Sequence, residues 1–175
     1  KTTGISRFES SFIFIKELLK HDIFIAVGSG SDSSRHNLKT IGMYSLFHAI
    51  VTGRDVKNGK PHPEMFLKAA TLIGVEPKDT VIFGDGVVDV EAGSRGCFGL
   101  VVGIDRGHNK ELLLKSGADI VVEDLSELSF YKLQGFFSKQ AKKGSSPLVR
   151  SKKIKTEKDW SKQIFLLKNI LDYYF

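Results

Sequence analysis

Five short apolar runs recur along this chain: IFIAV (23–27), HAIVTG (48–53), TVIF (80–83), GLVVGI (99–104) and DIVV (119–122). Each is continuous rather than alternating, the pattern of a strand buried on both faces, and such strands belong to parallel sheets covered by helices on either side. The stretches between them have helical period. In SSFIFIKELLKHD the apolar residues Phe12, Ile15, Leu18 and Leu19 follow serines suited to capping, predicting an amphipathic helix that ends near His21. SSRHNLKTIGM is a short helix. In EMFLKAATLIGV the stripe is Phe66, Ala69, Ala70 and Ile73, with Pro63 placed for the first turn and Gly74 for the C-terminal cap. Helices are also predicted from Asp89 to about Arg95 and in KELLLKSG. The expected class is α/β, a doubly wound parallel sheet with helices on both faces.

The charge is divided along the chain. The net charge is +6, but residues 1–128 hold 15 Lys+Arg against 17 Asp+Glu, and residues 129–175 hold 11 against 3. The expected organisation is therefore a core over 1–128, a basic linker over 129–158 and a C-terminal amphipathic helix over 159–175, where Phe165, Leu166, Ile170 and Leu171 have helical spacing. The lysines of the linker lack interleaved aromatic residues for base stacking, which argues against nucleic acid as a partner. No apolar run reaches the roughly 18 residues of a membrane span, and the N-terminus lacks the order of a signal peptide, so a cytoplasmic chain without membrane contact is expected. Cys97 is the only cysteine, which excludes an internal disulfide and a cysteine-based zinc site. The first residue is Lys1, which fits a processed chain or a piece of a longer one.

Ligands of open α/β sheets bind beyond the carboxyl ends of the strands. The first run ends in GSGSDSS, where Ser29, Gly30 and Ser31 could donate hydroxyl and amide hydrogens to a phosphate; taken alone, the same residues serve as a helix cap. Lys60, in NGKPHPE, stands before a Pro-started helix and could add a positive charge, although a lone lysine there is ordinarily solvated. The third run leads into VIFGDGVVDVEAG, where Asp85 and, one helical turn later, Asp89 could hold a hard cation such as Mg2+ through oxygen; an acidic turn with a capping aspartate has the same spacing. The order of the three signals raises the weight of each, because a hydroxyl turn, a lysine and a paired-aspartate turn on successive strand ends converge on one crevice.

In this order the chain resembles the haloacid dehalogenase superfamily, and within it the beta-phosphoglucomutase-like group, over about Phe8 to Leu128. Ser29 in IAVGSGS corresponds to the phosphate-binding Ser or Thr of the second motif, Lys60 in GKPHPEMF to the third-motif lysine, and FGDGVVDVEAG to the metal-binding fourth motif. The stretch GLVVGIDRGHNKELLLKSGADIVVEDLSEL looks like that of members fused to trehalose-phosphate phosphatase or disaccharide phosphorylase domains. The resemblance implies a Rossmann-like fold, Mg2+ as cofactor, and a phosphorylated sugar or other small phosphate ester as ligand. It also implies that Ser29, Gly30, Ser31 and Lys60 bind the phosphoryl group, Ser29 and Lys60 supporting catalysis, while Asp85 and Asp89 serve the metal.

Two departures from the family pattern bear on activity. Many beta-phosphoglucomutase-like members have Glu-Asp where this chain has Gly84-Asp85, a form more typical of the phosphatases. The first motif, an apolar strand ending in Asp-x-Asp, supplies the family's nucleophile and its acid/base, and no Asp-x-Asp occurs in this sequence. The cap domain that selects the substrate, which usually lies between the first and second motifs, has no counterpart either. The expectation is a sheet lacking its central strand, flanked by IFIAV and VIFGD, in the C-terminal part of a Mg2+-dependent sugar-phosphate phosphatase or phosphomutase-like enzyme without turnover of its own. The alternative is a non-catalytic module that binds a phosphorylated ligand or a partner chain.

Overall fold

The computed structural model describes residues 5–107, 109–143, 164–167 and 171–173. In chain order the elements are β1 (Ile5–Arg7), α1 (Glu9–Lys20), β2 (Phe24–Ser29), α2 (Ser34–Thr40), β3 (Ala49–Thr52), α3 (Glu64–Ile73), β4 (Thr80–Gly84) and α4 (Val87–Arg95). They are followed by β5 (Leu100–Ile104), α5 (Lys110–Lys115), β6 (Ile120–Val122), α6 (Phe130–Lys143), β7 (Ile164–Leu167) and β8 (Leu171–Tyr173). Six strands form one sheet in the order β3-β2-β7-β4-β5-β6, and every pairing in it is parallel. β1 and β8 form a separate antiparallel ladder.

The alternation of side chains along each strand divides the core into two layers. Ile25, Val27, Val81, Phe83, Leu100 and Val102 face one side, where Phe14, Ile15 and Leu18 of α1, Leu38 of α2 and Leu133 of α6 cover them. Ala26, Val51, Ile82 and Val101 face the other, under Met65, Phe66 and Ala69 of α3, Val90 of α4 and Leu113 of α5. The result is the doubly wound α/β sheet expected from the apolar runs. Pro63 and Gly74 cap α3 at its two ends, as the sequence pattern predicts. Among the described residues no helix is long and apolar enough to cross a membrane.

Three expectations are corrected. The slot between β2 and β4 is filled: β7 pairs with both, Leu166 standing opposite Ala26 on one side and Ile82 on the other. The C-terminal helix expected over 159–175 is replaced, within the described residues, by β7 and β8. The physical reason is the sheet itself. An open slot would leave the facing N–H and C=O groups of two buried strands unsatisfied, at about 1–3 kcal/mol each, and tertiary pairing of this size overrides helical propensity. Moreover, IFLL is a continuous apolar run, which suits a strand buried on both faces as well as it suits a helix. The segment read as a basic linker carries α6 over its first part. There Phe130 and Leu133 are buried, Phe136 packs on the same layer, His21 stacks on the Phe130 ring at 4.0 Å, and the Phe130 amide donates to Glu17 Oε1 at 3.0 Å. The lysines that dominate this stretch obscured its apolar stripe. The rest of the linker and of the C-terminal segment lies outside the described residues.

The exit from β3 is held by Asp55. Its Oδ2 accepts from the Thr52 amide at 2.7 Å, the Thr52 hydroxyl at 2.9 Å and Arg35 Nη2 at 3.0 Å. These bonds, the Thr52 amide foremost, hold the Asp55 carboxyl below its ordinary value of 3.8. A depressed folded value means that the stabilisation is fully present above the ordinary value and is lost as the pH falls through the folded one. Asp55→Asn is therefore expected to lower stability by about 1–2 kcal/mol near neutral pH, with the gap to the wild type closing in acid; denaturant titrations across that range check it. For β7, native-state hydrogen exchange should find the amides of Ile164–Leu167 protected to the same degree as those of β2 and β4, whereas a frayed C-terminal helix would exchange far faster.

Candidate functional site

β2 and β4 flank β7 and end on the same side of the sheet, the side on which α/β sheets bind ligands. The turn after β2 is built of hydroxyls. Ser29 Oγ accepts from the Ser31 amide at 3.3 Å and lies 2.6 Å from Ser34 Oγ, which is buried and also lies 2.8 Å from the Ser31 carbonyl oxygen. The single Ser34 hydrogen can serve either Ser29 Oγ or the Ser31 carbonyl oxygen, and when it serves the carbonyl the Ser29 hydroxyl donates to Ser34. Gly30 and Ser31 are exposed, and Ser31 Oγ lies 2.8 Å from Ser33 Oγ.

Lys60 reaches this place from the loop before α3. Its ammonium stands 2.7 Å from Asp89 Oδ1 and donates to the Gly28 carbonyl oxygen at 3.3 Å; the Lys60 side chain is 6% exposed and that of Asp89 0%. The ring of Phe66 lies beneath it, 5.6 Å from Nζ to the centroid. The loop is clasped from several sides. Glu64 accepts from the Lys57 amide at 2.8 Å, the Asn58 amide at 3.0 Å and Asn58 Nδ2 at 2.8 Å, and the Lys57 amide foremost, then the Asn58 side chain, holds the Glu64 carboxyl below the usual range. Arg95 Nη1 donates to the Pro61 carbonyl oxygen at 3.4 Å. The Lys60–Pro61 peptide bond is cis.

β4 delivers the two aspartates. Asp85 follows its last residue and is half-buried, whereas Asp89 turns inward from the first turn of α4, where its Oδ2 accepts from the Gly86 amide at 3.2 Å. Gly84 is required here because a Cβ at this position would collide with the Cβ of Asp89. Of the residues expected at the site, Lys60 and Asp89 are thus in direct contact, Ser29, Gly30 and Ser31 belong to the end of β2 and its turn, and Asp85 stands at the end of β4. Both oxygens of Asp89 are engaged, one with a cation and one with an amide, an arrangement that fixes Lys60.

Among the described residues no group of three or more metal-binding side chains is assembled. A magnesium ion retains several waters and uses one or two carboxylates together with the phosphate oxygens of its ligand. The single half-buried carboxylate of Asp85 fits that hydrated mode and does not form an all-protein cage. Sequence reasoning passed over Glu64, Arg95 and Ser34. Glu64 left a local trace, as a carboxylate in the first turn of a helix, and Ser34 bonds within its own turn; the Pro61 partner of Arg95 lies in a distant loop.

A sequence profile of haloacid dehalogenase-like hydrolases matches residues 1–98. The chain is 36% identical over 132 residues to the beta-phosphoglucomutase of Mycobacterium tuberculosis, covering 71% of this chain and 50% of that protein. It is 37% identical over 102 residues to 2-deoxyglucose-6-phosphate phosphatase 1 of Saccharomyces cerevisiae, covering 54% and 40%. It therefore spans half or less of the length of these relatives. Among solved structures, the beta-phosphoglucomutase of Clostridium difficile superposes with a TM-score of 0.66 at 26% identity, over 73% of this chain and 55% of that one. A hydrolase from Pseudomonas syringae superposes with a TM-score of 0.64 at 30% identity, over 73% and 59%. The matched profile contains Ser29, Lys60, Asp85 and Asp89, and by this match and the shared fold the chain belongs to the haloacid dehalogenase-like hydrolase family, in its beta-phosphoglucomutase-like group.

Proposed function

We propose that this chain carries the phosphate-binding side of a sugar-phosphate phosphatase or phosphomutase-like site and binds a phosphorylated sugar without turning it over. The observation that supports this most is the buried Lys60–Asp89 pair, which holds an ammonium beside the hydroxyl turn of Ser29. Ser29, with the amides of Gly30 and Ser31, donates hydrogen bonds to the phosphoryl oxygens. Lys60 opposes their charge from a position where burial strengthens the attraction. Asp89 orients Lys60, and Asp85 holds Mg2+. When bound, Mg2+ neutralises negative charge on the phosphoryl group. The ligand class is drawn from the relatives, whose names include a phosphoglucomutase and sugar-phosphate phosphatases.

The absence of turnover is read from the sequence. The family's nucleophilic aspartate ends the strand flanked by the IFIAV and VIFGD strands. In this chain that strand is β7, the next residues in the sequence are Lys168 and Asn169, and no Asp-x-Asp occurs anywhere in the sequence. Neither side chain can form an aspartyl-phosphate.

Calorimetry with inorganic phosphate and glucose 6-phosphate, with and without Mg2+, tests the binding. Removal of the charge-assisted bonds of Lys60 in the Lys60→Met/Asp89→Asn double variant is expected to weaken both ligands about 10- to 100-fold, and Asp85→Asn to remove the enhancement by Mg2+. Binding that is indifferent to Lys60 contradicts the site, and robust hydrolysis of a generic phosphate ester by the unmodified chain contradicts the absence of turnover. Stability isolates the role of Asp89. Asp89→Ala alone leaves a buried ammonium uncompensated and should cost about 3–5 kcal/mol, whereas the double variant, which removes both charges, should recover most of that loss.

A further inference from the structure

Beside the hydroxyl turn stands an ion pair that neither the phosphate site nor the core requires. Arg54 Nε donates to Asp32 Oδ2 at 2.7 Å, with the Arg54 side chain 79% exposed and that of Asp32 45%. Asp32 lies within the turn that leaves β2, and Arg54 within the turn that leaves β3. The two strands are in register up to Ser29 and Thr52. The turns approach so closely that a Cβ on Gly53 would stand 2.7 Å from the Gly30 carbonyl oxygen. The pair therefore bridges two neighbouring loops at the edge of the turn formed by Ser29, Gly30 and Ser31.

An exposed pair of this kind adds little to stability, but its position bears on the charge of the site. Asp32 is the only carboxylate in the Ser29–Ser34 turn. Unopposed, it would repel the phosphoryl group that the neighbouring hydroxyls and amides are arranged to receive. We propose that Arg54 is a specificity-determining residue for anion binding: by pairing with Asp32 it cancels the field of that carboxylate over the turn, and so admits a doubly charged phosphate. The inference rests on the phosphate-binding reading above and assigns Arg54 an action through Asp32, without contact with the ligand. The repulsion that Arg54 suppresses acts through solvent over several ångströms, so its removal corresponds to about a two- to five-fold loss of affinity at low ionic strength.

The test is calorimetry of inorganic phosphate with the full chain at low salt, comparing wild type, Arg54→Ala, Asp32→Asn, the Arg54→Ala/Asp32→Asn double variant and Lys60→Met/Asp89→Asn. The expected result is a two- to five-fold weakening in Arg54→Ala, affinity no weaker than wild type in Asp32→Asn, and a return to within about two-fold of wild type in the Arg54→Ala/Asp32→Asn variant. Added salt should erase the difference between Arg54→Ala and wild type. An Arg54→Ala variant that binds like wild type overturns the inference and leaves the phosphate site standing. A double variant as weak as Arg54→Ala also overturns it, because Arg54 would then act on the anion directly. Wild-type binding no tighter than that of Lys60→Met/Asp89→Asn removes the phosphate site, and the role of Arg54 with it.

Discussion

Among the described residues, the β3-β2 pair and the β4-β5-β6 trio are joined into one sheet through β7. Ser29, Asp85 and Asp89 follow from the two strands on either side of that joint, and Lys60 reaches Asp89 from the loop before α3. Neighbouring strands lie about 4.8 Å apart, so a single intervening strand sets the ends of β2 and β4 roughly 10 Å from one another. Ser29 at one end and Asp85 just past the other are thereby spaced by the rigid repeat of the sheet rather than by the conformation of a loop.

The Lys60–Asp89 pair supplies a different kind of order. A buried ion pair gains little net stability over apolar residues of the same shape, since desolvation offsets most of the attraction. Its value here is positional. One ammonium draws together the carbonyl end of β2, the loop before α3 and the first turn of α4, and the close packing of Asp89 against Gly84 leaves no slack in that arrangement. Glu64 and Arg95 act on the same loop from outside, so the lysine is presented by a loop that is itself tied down.

The legible parts of this fold were those in which local pattern and tertiary fate agree. IFIAV, TVIF and GLVVGI could be read as strands because burial on both faces leaves a continuous apolar run, and Pro63 and Gly74 mark the ends of α3 because their backbone preferences act locally. Ser29 and Asp85 could be placed at the ends of β2 and β4 because their order along the chain follows the strand ends of a parallel sheet. IFLL could not be assigned in the same way. Its residues suit a helix and a buried strand equally, and what decides between them is a vacancy between β2 and β4 that no local window contains. The Asp89–Lys60 contact was equally hidden, since nothing in either segment announces the other. The apolar stripe of α6 was outweighed to the eye by the lysines around it.

The position of β7 also orders events in time. Every strand of the six-stranded sheet other than β7 precedes it in the sequence, yet the sheet is not continuous until it arrives. Among these strands, the facing edges of β2 and β4 have no partner until β7 is made. Contacts of such long sequence separation form slowly, and open edges of this kind are where chains pair with the wrong partner. For these strands the interval before β7 pairs, more than the finished sheet, is when an edge stands open.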